Sequence, residues 1–329
     1  MNTEGFKSTR SAAEHRQDNR CPVCGSPGYR LKHLSPEFIR DSLTRYFGRA
    51  VPETVRLVGY DIVRCLECSL EFASPPEAGD EEFYQWVTSI DGYYPAMRWE
   101  WQAVVEEIKR SGPPRGRVLE VGCGSGTFLR LAKDSLPELS VIGLDLAERA
   151  VEQCRAKGIE SYAETLEQYC RHPANQGKVF DYICAFHCLE HVSSPKELVQ
   201  GMAPLTDRSS TIFLSTPYSP MSFETRWHDP LNHPPHHVTR WNAKAYEALA
   251  EQTGWTVDLI LPPAADIAKR AVIAVRLAKC GTGGVTRSPW SVLMRHPFDI
   301  MAEMVRQATR PRVHGRAAPD VVLARLRRE

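Results

Sequence analysis

Val118-Leu119-Glu120-Val121-Gly122-Cys123-Gly124-Ser125-Gly126-Thr127-Phe128-Leu129 is the stretch that decides the fold. Apolar residues flanking one acid read as a buried strand. Three alternate glycines follow, and then the start of a helix. Glycine has no Cβ and reaches φ > 0 at little cost, so such a turn lets a nucleotide-like ligand lie against main-chain N–H groups. Helix-compatible residues continue from Leu129 to Leu136. A second strand reads from Ser140 to Leu144 and ends in Asp145, an acid about 20 residues beyond the glycines, where a doubly wound sheet presents a carboxylate to ribose hydroxyls. Asp145 is also placed to cap a helix over Leu146 to Lys157, and the two roles are compatible.

Two later blocks continue the pattern. Val179-Phe180-Asp181-Tyr182-Ile183-Cys184-Ala185-Phe186-His187-Cys188-Leu189-Glu190-His191-Val192 reads as a strand and its exit, and Phe213-Leu214-Ser215-Thr216-Pro217 as the next strand. Taken in order from Arg115 to Leu261, these blocks resemble the class I S-adenosylmethionine-dependent methyltransferases. The glycine spacing is G-x-G-x-G, not the G-x-G-x-x-G of nicotinamide dehydrogenases. The resemblance implies an α/β fold with a Rossmann-like seven-stranded methyltransferase sheet. It implies S-adenosyl-L-methionine as cofactor, held by Glu120, Gly122, Cys123, Gly124, Gly126, Asp145, Leu146, Thr165, Leu166 and Phe186. Glu120 is expected near the methionine end and Asp145 at the ribose.

Four of the ten cysteines form two C-x-x-C knuckles, Cys21-Pro22-Val23-Cys24 and Cys65-Leu66-Glu67-Cys68. Four thiolates on two turns suit a structural zinc ion, Zn2+. The competing reading is a redox pair or unrelated turns. The separation of the knuckles requires an excursion between them, read as a helix over 36–47 and a strand over 55–63. Cys123 lies in the glycine loop, Cys184 and Cys188 are expected beside the fourth strand, and no cysteine is assigned a nucleophilic role.

The chain therefore divides into a disordered start (1–20), a zinc-binding module (21–78) and an aromatic helical linker and substrate cap (79–114). The methyltransferase core (115–261), a helical basic insertion (262–319) and the last core strand (320–329) complete it. Within the core, Trp241 to Thr253 reads as a helix and Trp255 to Leu261 as a sixth strand, and Val321 to Leu326 reads as the last strand. Tyr84, Trp86, Tyr93 and Tyr94 are expected to close over the substrate. No internal repeat is visible. A formal charge of +1 gives no global pull toward nucleic acid. No apolar run approaches the roughly 20 residues a transmembrane helix needs. The polar first 20 residues contain no apolar signal core, so cytoplasm is the expected location. The insertion carries two apolar–basic stretches, 266–279 and 290–316. They read either as helices that lid the active site or as a surface for weak membrane contact through 266–316.

Methyl transfer needs an acceptor in line with the sulfonium methyl and often a base. The richest source of bases is His228-Asp229-Pro230-Leu231-Asn232-His233-Pro234-Pro235-His236-His237-Val238-Thr239-Arg240-Trp241, placed after the fifth strand. A zinc module joined to such a core resembles bacterial sugar and natural-product methyltransferases, including deoxysugar C-methyltransferases. Those carry a Tyr-x-Glu-His segment whose histidine is a general base. Its histidine falls on His237, its glutamate on His236 and its tyrosine on Pro234, so two of the three groups differ and O-methylation stands beside C-methylation. His237 is the first candidate base, His236 the second and His191 the third. A second zinc site among these histidines is the other reading, and the prolines speak against it. The expected function is methyl transfer to a small-molecule substrate, a sugar or a natural-product or cell-surface polysaccharide intermediate. The alternatives are an RNA methyltransferase gripping nucleic acid with its zinc module, and a non-catalytic cofactor-binding module. The first lacks a basic, aromatic-interleaved stripe in 21–76.

Overall fold

The chain is seen in a computed structural model that describes residues 19–90, 93, 95–111, 115–224, 226–263, 266–280, 292, 294–310 and 312–328. Residues 1–18 of the expected disordered start, Tyr94, the 112–114 break, Trp290 and Leu293 lie outside the described residues.

The N-terminal knuckles are tight turns. Cys21 N–H donates to Ser26 O, Cys65 N–H donates to Leu70 O, and Gly25 and Ser69 take positive φ. Between them run β1 (Gly28–Leu34), α1 (Pro36–Phe47) and β2 (Tyr60–Cys65), followed by β3 (Glu71–Ser74). The sequence explains α1 directly: Ser35 Oγ accepts from Phe38 N–H, proline opens the first turn, and Gly48 closes the helix in the left-handed conformation. The strand expected over 55–63 is displaced. Residues 53–55 form a turn, with Val55 N–H donating to Pro52 O, because Val51 and Val55 are buried under α1 and Arg40 ties their carbonyls down.

The aromatic segment forms two helices, α2 (Glu81–Thr88) and α3 (Trp99–Ser111). Trp86 does not line an open surface as expected. It packs with Phe83 and Val87 against Leu34, Ile39 and Leu43 in a core beneath the N-terminal sheet.

The core alternates strand and helix from β4 (Arg117–Val121), α4 (Thr127–Ser135), β5 (Ser140–Asp145) and α5 (Glu148–Ala156) to β6 (Glu160–Ala163) and α6 (Leu166–Arg171). It continues through β7 (Tyr182–Phe186), α7 (Pro195–Met202) and β8 (Thr211–Pro217). Then come the two-residue β9 (Thr239–Arg240), α8 (Ala243–Thr253), β10 (Thr256–Ile260), α9 (Ile267–Cys280) and α10 (Pro297–Ala308). The short hairpin β11 (Arg312–Val313) and β12 (Arg316–Ala317) leads into β13 (Val321–Arg327). The seven-stranded sheet has the order β10-β13-β8-β7-β4-β5-β6. β13 pairs antiparallel with both neighbours and the other pairs are parallel. The sheet is therefore mixed, with β13 as its reversed strand.

Two features tie the N-terminal part to this sheet. β9 pairs with β3, so the N-terminal sheet takes its fourth strand from residues 239–240. Cys21, Cys65, Cys68, Leu70 and Phe72 also belong to the same buried cluster as Leu119, Ile183 and Leu214. The residues expected to begin a helix at Trp241 are instead a bridge and a cap: Trp241 pairs with Tyr218, and Asn242 accepts from Ala245 N–H and starts α8 at Ala243.

α9 and α10 pack on each other through Ala271, Val275, Val292 and Ile300. α10 docks on the loop after β8, where Arg226 meets the buried Glu303 and Gln307 donates to Ser222 O. No helix among the described residues is long and apolar enough to cross a membrane.

Candidate active site

The glycine turn leaves β4 at the carboxyl edge of the sheet, where ligands bind in open α/β folds. Gly122 and Gly126 have φ of 74° and 72°. A Cβ at Gly122 would lie 3.3 Å from the Cys188 side chain, and one at Gly126 would lie 2.4 Å from Cys154 Sγ. Both positions need glycine for conformation and for space. Gly122 and Cys123 N–H both donate to Leu144 O, which fixes the turn to β5. Asp145 Oδ2 accepts from Gly124 N–H at 2.8 Å, and Oδ1 accepts from Ala147 N–H at 2.9 Å. Each carboxylate oxygen keeps a lone pair for a further donor.

Glu120 sits beneath this loop at 3 % exposure. Its Oε2 has no hydrogen-bond partner. Burial, reinforced by Cys154 and Asp145, pushes its carboxyl well above the usual range. Leu146, 74 % exposed, stands at the open end of β5.

A second polar group lies beside the loop. The segment after β7 touches Gly122 through Cys188 and turns once through Leu189–His191. Val238 N–H donates to Glu190 O, which brings the histidine-rich loop against that turn. His191, His236 and His237 come together, with ring centroids 4.5–4.7 Å apart. Each has its Nδ1 on an oxygen: His191 on His236 O at 2.7 Å, His236 on Leu231 O at 2.8 Å and His237 on Asn232 Oδ1 at 3.1 Å. Tyr93 OH lies 2.8 Å from His236 Nε2, and Tyr84 OH donates to His236 O. Burial lowers the pKa of all three rings.

His187 adds a group that sequence reading left out. Its φ is +50°, a strained value for a non-glycine residue. Its Nε2 lies 2.8 Å from Glu100 Oε1, and its Nδ1 is 3.2 Å from Glu190 Oε1, close but without hydrogen-bond geometry. Burial works against the charged ring, but Glu100 and Glu190 outweigh it and raise its pKa. Glu100 comes from α3, 87 residues away, so no local pattern pointed to it.

An ion chain runs from the N-terminal sheet to this group. Glu71 on β3 lies 3.3 Å from Arg240 Nε, and Arg240 Nη2 lies 2.7 Å from Glu224 Oε2. Asn232 donates to Glu224 Oε1 and accepts from His237. Its links are buried or nearly so.

The profile of the family described as the methyltransferase domain matches residues 96–260, half of the chain. The chain belongs to that family. The match starts at Ala96, so this methyltransferase domain takes in α3 and Glu100, upstream of the resemblance read from the sequence. A ubiquinone biosynthesis O-methyltransferase of Cronobacter sakazakii is 31 % identical over 107 residues, covering 30 % of this chain and 42 % of that protein. A malonyl-[acyl-carrier protein] O-methyltransferase of a Paenibacillus species is 24 % identical over 129 residues, covering 37 % of this chain and 46 % of that one. The chain thus spans less than half the length of these two curated relatives. Among solved structures, the plantazolicin methyltransferase BpumL with a pentazolic analogue and S-adenosylhomocysteine is 16 % identical. That likeness covers 76 % of this chain and 92 % of that one, with a TM-score of 0.47.

Around the domain's glycine loop, the expected residues divide by what their side chains already do. Thr165 caps α6, accepting from Gln168 N–H in a reciprocal box. Leu166 is buried in the core, and Phe186 packs on Phe128 with centroids 4.7 Å apart. Cys123 is buried, and a Cβ on Gly143 would meet its sulfur at 2.6 Å. Glu120, Asp145 and Leu146 are the side chains with an unpartnered atom, a spare lone pair or an open apolar surface.

The four knuckle cysteines converge. Cys21 Sγ lies 3.5 Å from Cys68 Sγ, and Cys24 Sγ lies 3.4 Å from Cys65 Sγ and 3.8 Å from Cys68 Sγ. A zinc–sulfur tetrahedron with bonds of about 2.3 Å has edges of about 3.8 Å. The donor set and spacing therefore fit a four-thiolate metal site.

Proposed function

We propose that this chain transfers a methyl group from S-adenosyl-L-methionine to an oxygen of a small-molecule acceptor, and that the histidine group beside the glycine loop receives the acceptor. What carries this reading is the adjacency of two things: a glycine loop flanked by the spare lone pairs of Asp145 and the unpartnered Glu120, and a cluster of neutral histidines fixed next to it through Cys188 and Glu190.

Bound S-adenosylmethionine would supply an electrophilic methyl on a sulfonium. The residues do the rest. The glycine turn, its N–H groups spent on Leu144, Asp145 and Cys123, would let the adenosyl part approach the main chain, where the Asp145 carboxylate would hold its ribose and Leu146 would cover the base. Glu120 lies toward the amino-acid end. His237 Nε2 would take the proton of the acceptor hydroxyl as its oxygen attacked the methyl carbon. His191 is the other ring whose Nε2 has no bond, while His236 already accepts from Tyr93. The C–S electron pair stays on sulfur, leaving S-adenosylhomocysteine and the methylated acceptor. The O-methyltransferase names of the curated relatives favour oxygen as the acceptor atom. A sugar or natural-product acceptor belongs to this same proposal.

For the four cysteines the proposal is a structural zinc ion. It would lock β2 and β3, and through Glu71 and Arg240 it would hold the histidine loop in register.

Calorimetric titration of the full chain tests the cofactor reading. Binding of S-adenosylmethionine and of S-adenosylhomocysteine is expected, and Asp145→Ala should weaken it by about 1–3 kcal/mol, the range for lost hydrogen bonds to a charged group. Absence of heat with both ligands would overturn it.

A further inference from the structure

His191, His236 and His237 are more ordered than a single general base requires. A base needs one imidazole with one free nitrogen. Here three rings meet, and each is pinned at Nδ1 by an oxygen that only accepts. His191 and His236 face main-chain carbonyls. His237 faces Asn232 Oδ1, whose identity as oxygen follows from Asn232 Nδ2 donating to Glu224. Each ring therefore carries its proton on Nδ1 and has its lone pair on Nε2, free on His191 and His237 and accepting from Tyr93 OH on His236. An oxygen partner on the far nitrogen of every ring is the arrangement that orients imidazoles around a metal ion. One ligating atom from each residue lies within 4.8 Å of the others.

A second observation points to the same place. Glu190 is 1 % exposed, and neither carboxyl oxygen has a hydrogen-bond partner. Its Oε1 lies 3.9 Å from His237 Nε2. The His187 ring stands 3.2 Å from Oε1 but makes no hydrogen bond to it, and a buried carboxyl without hydrogen bonds is costly; a cation nearby lowers that cost.

We propose that His191, His236 and His237 form a binding site for a divalent first-row transition metal ion, with the Glu190 carboxyl beside it. Three imidazoles suit zinc, cobalt, nickel or iron(II), not magnesium or calcium, which favour oxygen. For metal–nitrogen bonds of about 2.0–2.1 Å in a tetrahedron, the ligand atoms approach to about 3.4 Å. The rings must therefore close by an ångström or more, with Tyr93 OH giving up its bond to His236 Nε2. A cation here would lie beside the glycine loop and occupy the His237 Nε2 lone pair, so in the metal-loaded chain it would polarise the acceptor hydroxyl in place of proton removal by that ring. The site itself does not depend on the methyl-transfer reading, because its test reads metal binding alone.

Cobalt(II) separates this site from the thiolate site. The chelator-treated full chain is titrated with Co2+, and absorption is recorded. Cobalt on the cysteines gives intense sulfur-to-metal charge-transfer bands in the near ultraviolet. Cobalt on nitrogen and oxygen gives only weak visible bands. A second equivalent that adds visible absorption without further charge transfer is expected. His191→Gln should lose that equivalent and keep the thiolate bands, while Tyr93→Phe should retain it. Saturation of the wild-type chain by the charge-transfer equivalent alone, or an unchanged second equivalent in a folded His191→Gln chain, would overturn the assignment.

Discussion

At the residue scale, the proposed transfer turns on Nε2 of His237. The ring is buried, its Nδ1 is held by Asn232, and Glu190 is its nearest acid. Removing it leaves the glycine loop, Asp145 and Glu120 untouched. In the metal-free chain, His237→Ala is therefore expected to lower kcat by about 10²–10⁴-fold, the range for a lost general base. Calorimetry should find S-adenosylmethionine binding unchanged, and a parallel loss of cofactor affinity would mean that the side chain holds the loop instead. Sequence located this residue because histidines after the fifth strand are chemically conspicuous. It did not locate Glu100 or His187. Glu100 looks like any acid in the first turn of an amphipathic helix, and His187 matters because of a backbone angle that no side-chain pattern reports.

At the scale of elements, the β3–β9 pairing does what neither strand does alone. β9 is two residues long, and its register against β3 sets Arg240 opposite Glu71. The guanidinium then bridges Glu71 and Glu224, and Glu224 orients Asn232. Arg240→Ala would leave the poorly exposed Glu224 without its cation, while Glu71 would keep Arg64. Breaking a buried pair from one side typically costs about 3–5 kcal/mol. Urea denaturation should show a loss of that order, and a change below about 1 kcal/mol would mean the chain of ions is solvated and does not brace the loop. The helices that sequence located best, α1 and α8, carry their own caps in Ser35 and Asn242. The strand over 55–63 was misplaced because Val51 and Val55 are buried by a turn. An apolar run has the same composition whether strand or turn buries it.

For the whole molecule, buried histidines set the response to acid. Burial lowers the pKa of His191, His233, His236 and His237, and that of His228 falls to about 4. Unfolded, these rings take up protons near the ordinary value of 6.5; folded, they do so only at lower pH. Their contribution to stability is present above pH 6.5 and is lost as pH falls toward the folded values. His187 has the opposite sign: its contribution is full below 6.5 and fades as pH rises through its raised folded value. Five rings outweigh one, each by up to about 1.4 kcal/mol per pH unit. The metal-free chain should therefore melt at a lower temperature at pH 5 than at pH 7, and equal melting temperatures would show that the histidines are hydrated. The sequence by itself determined the alternating core, the glycine loop and the two cysteine knuckles, because each rests on residues close together in the chain: a strand's apolar run, a φ only glycine reaches cheaply, a two-residue knuckle spacing. Only the tertiary structure decided that β13 runs against its neighbours, that residues 239–240 complete the N-terminal sheet, and that Glu100, His187, Glu190 and three further histidines meet beside the loop. Those contacts join residues up to 169 positions apart (Glu71 and Arg240), and their geometry is set by how the sheets pack rather than by any local preference of the chain.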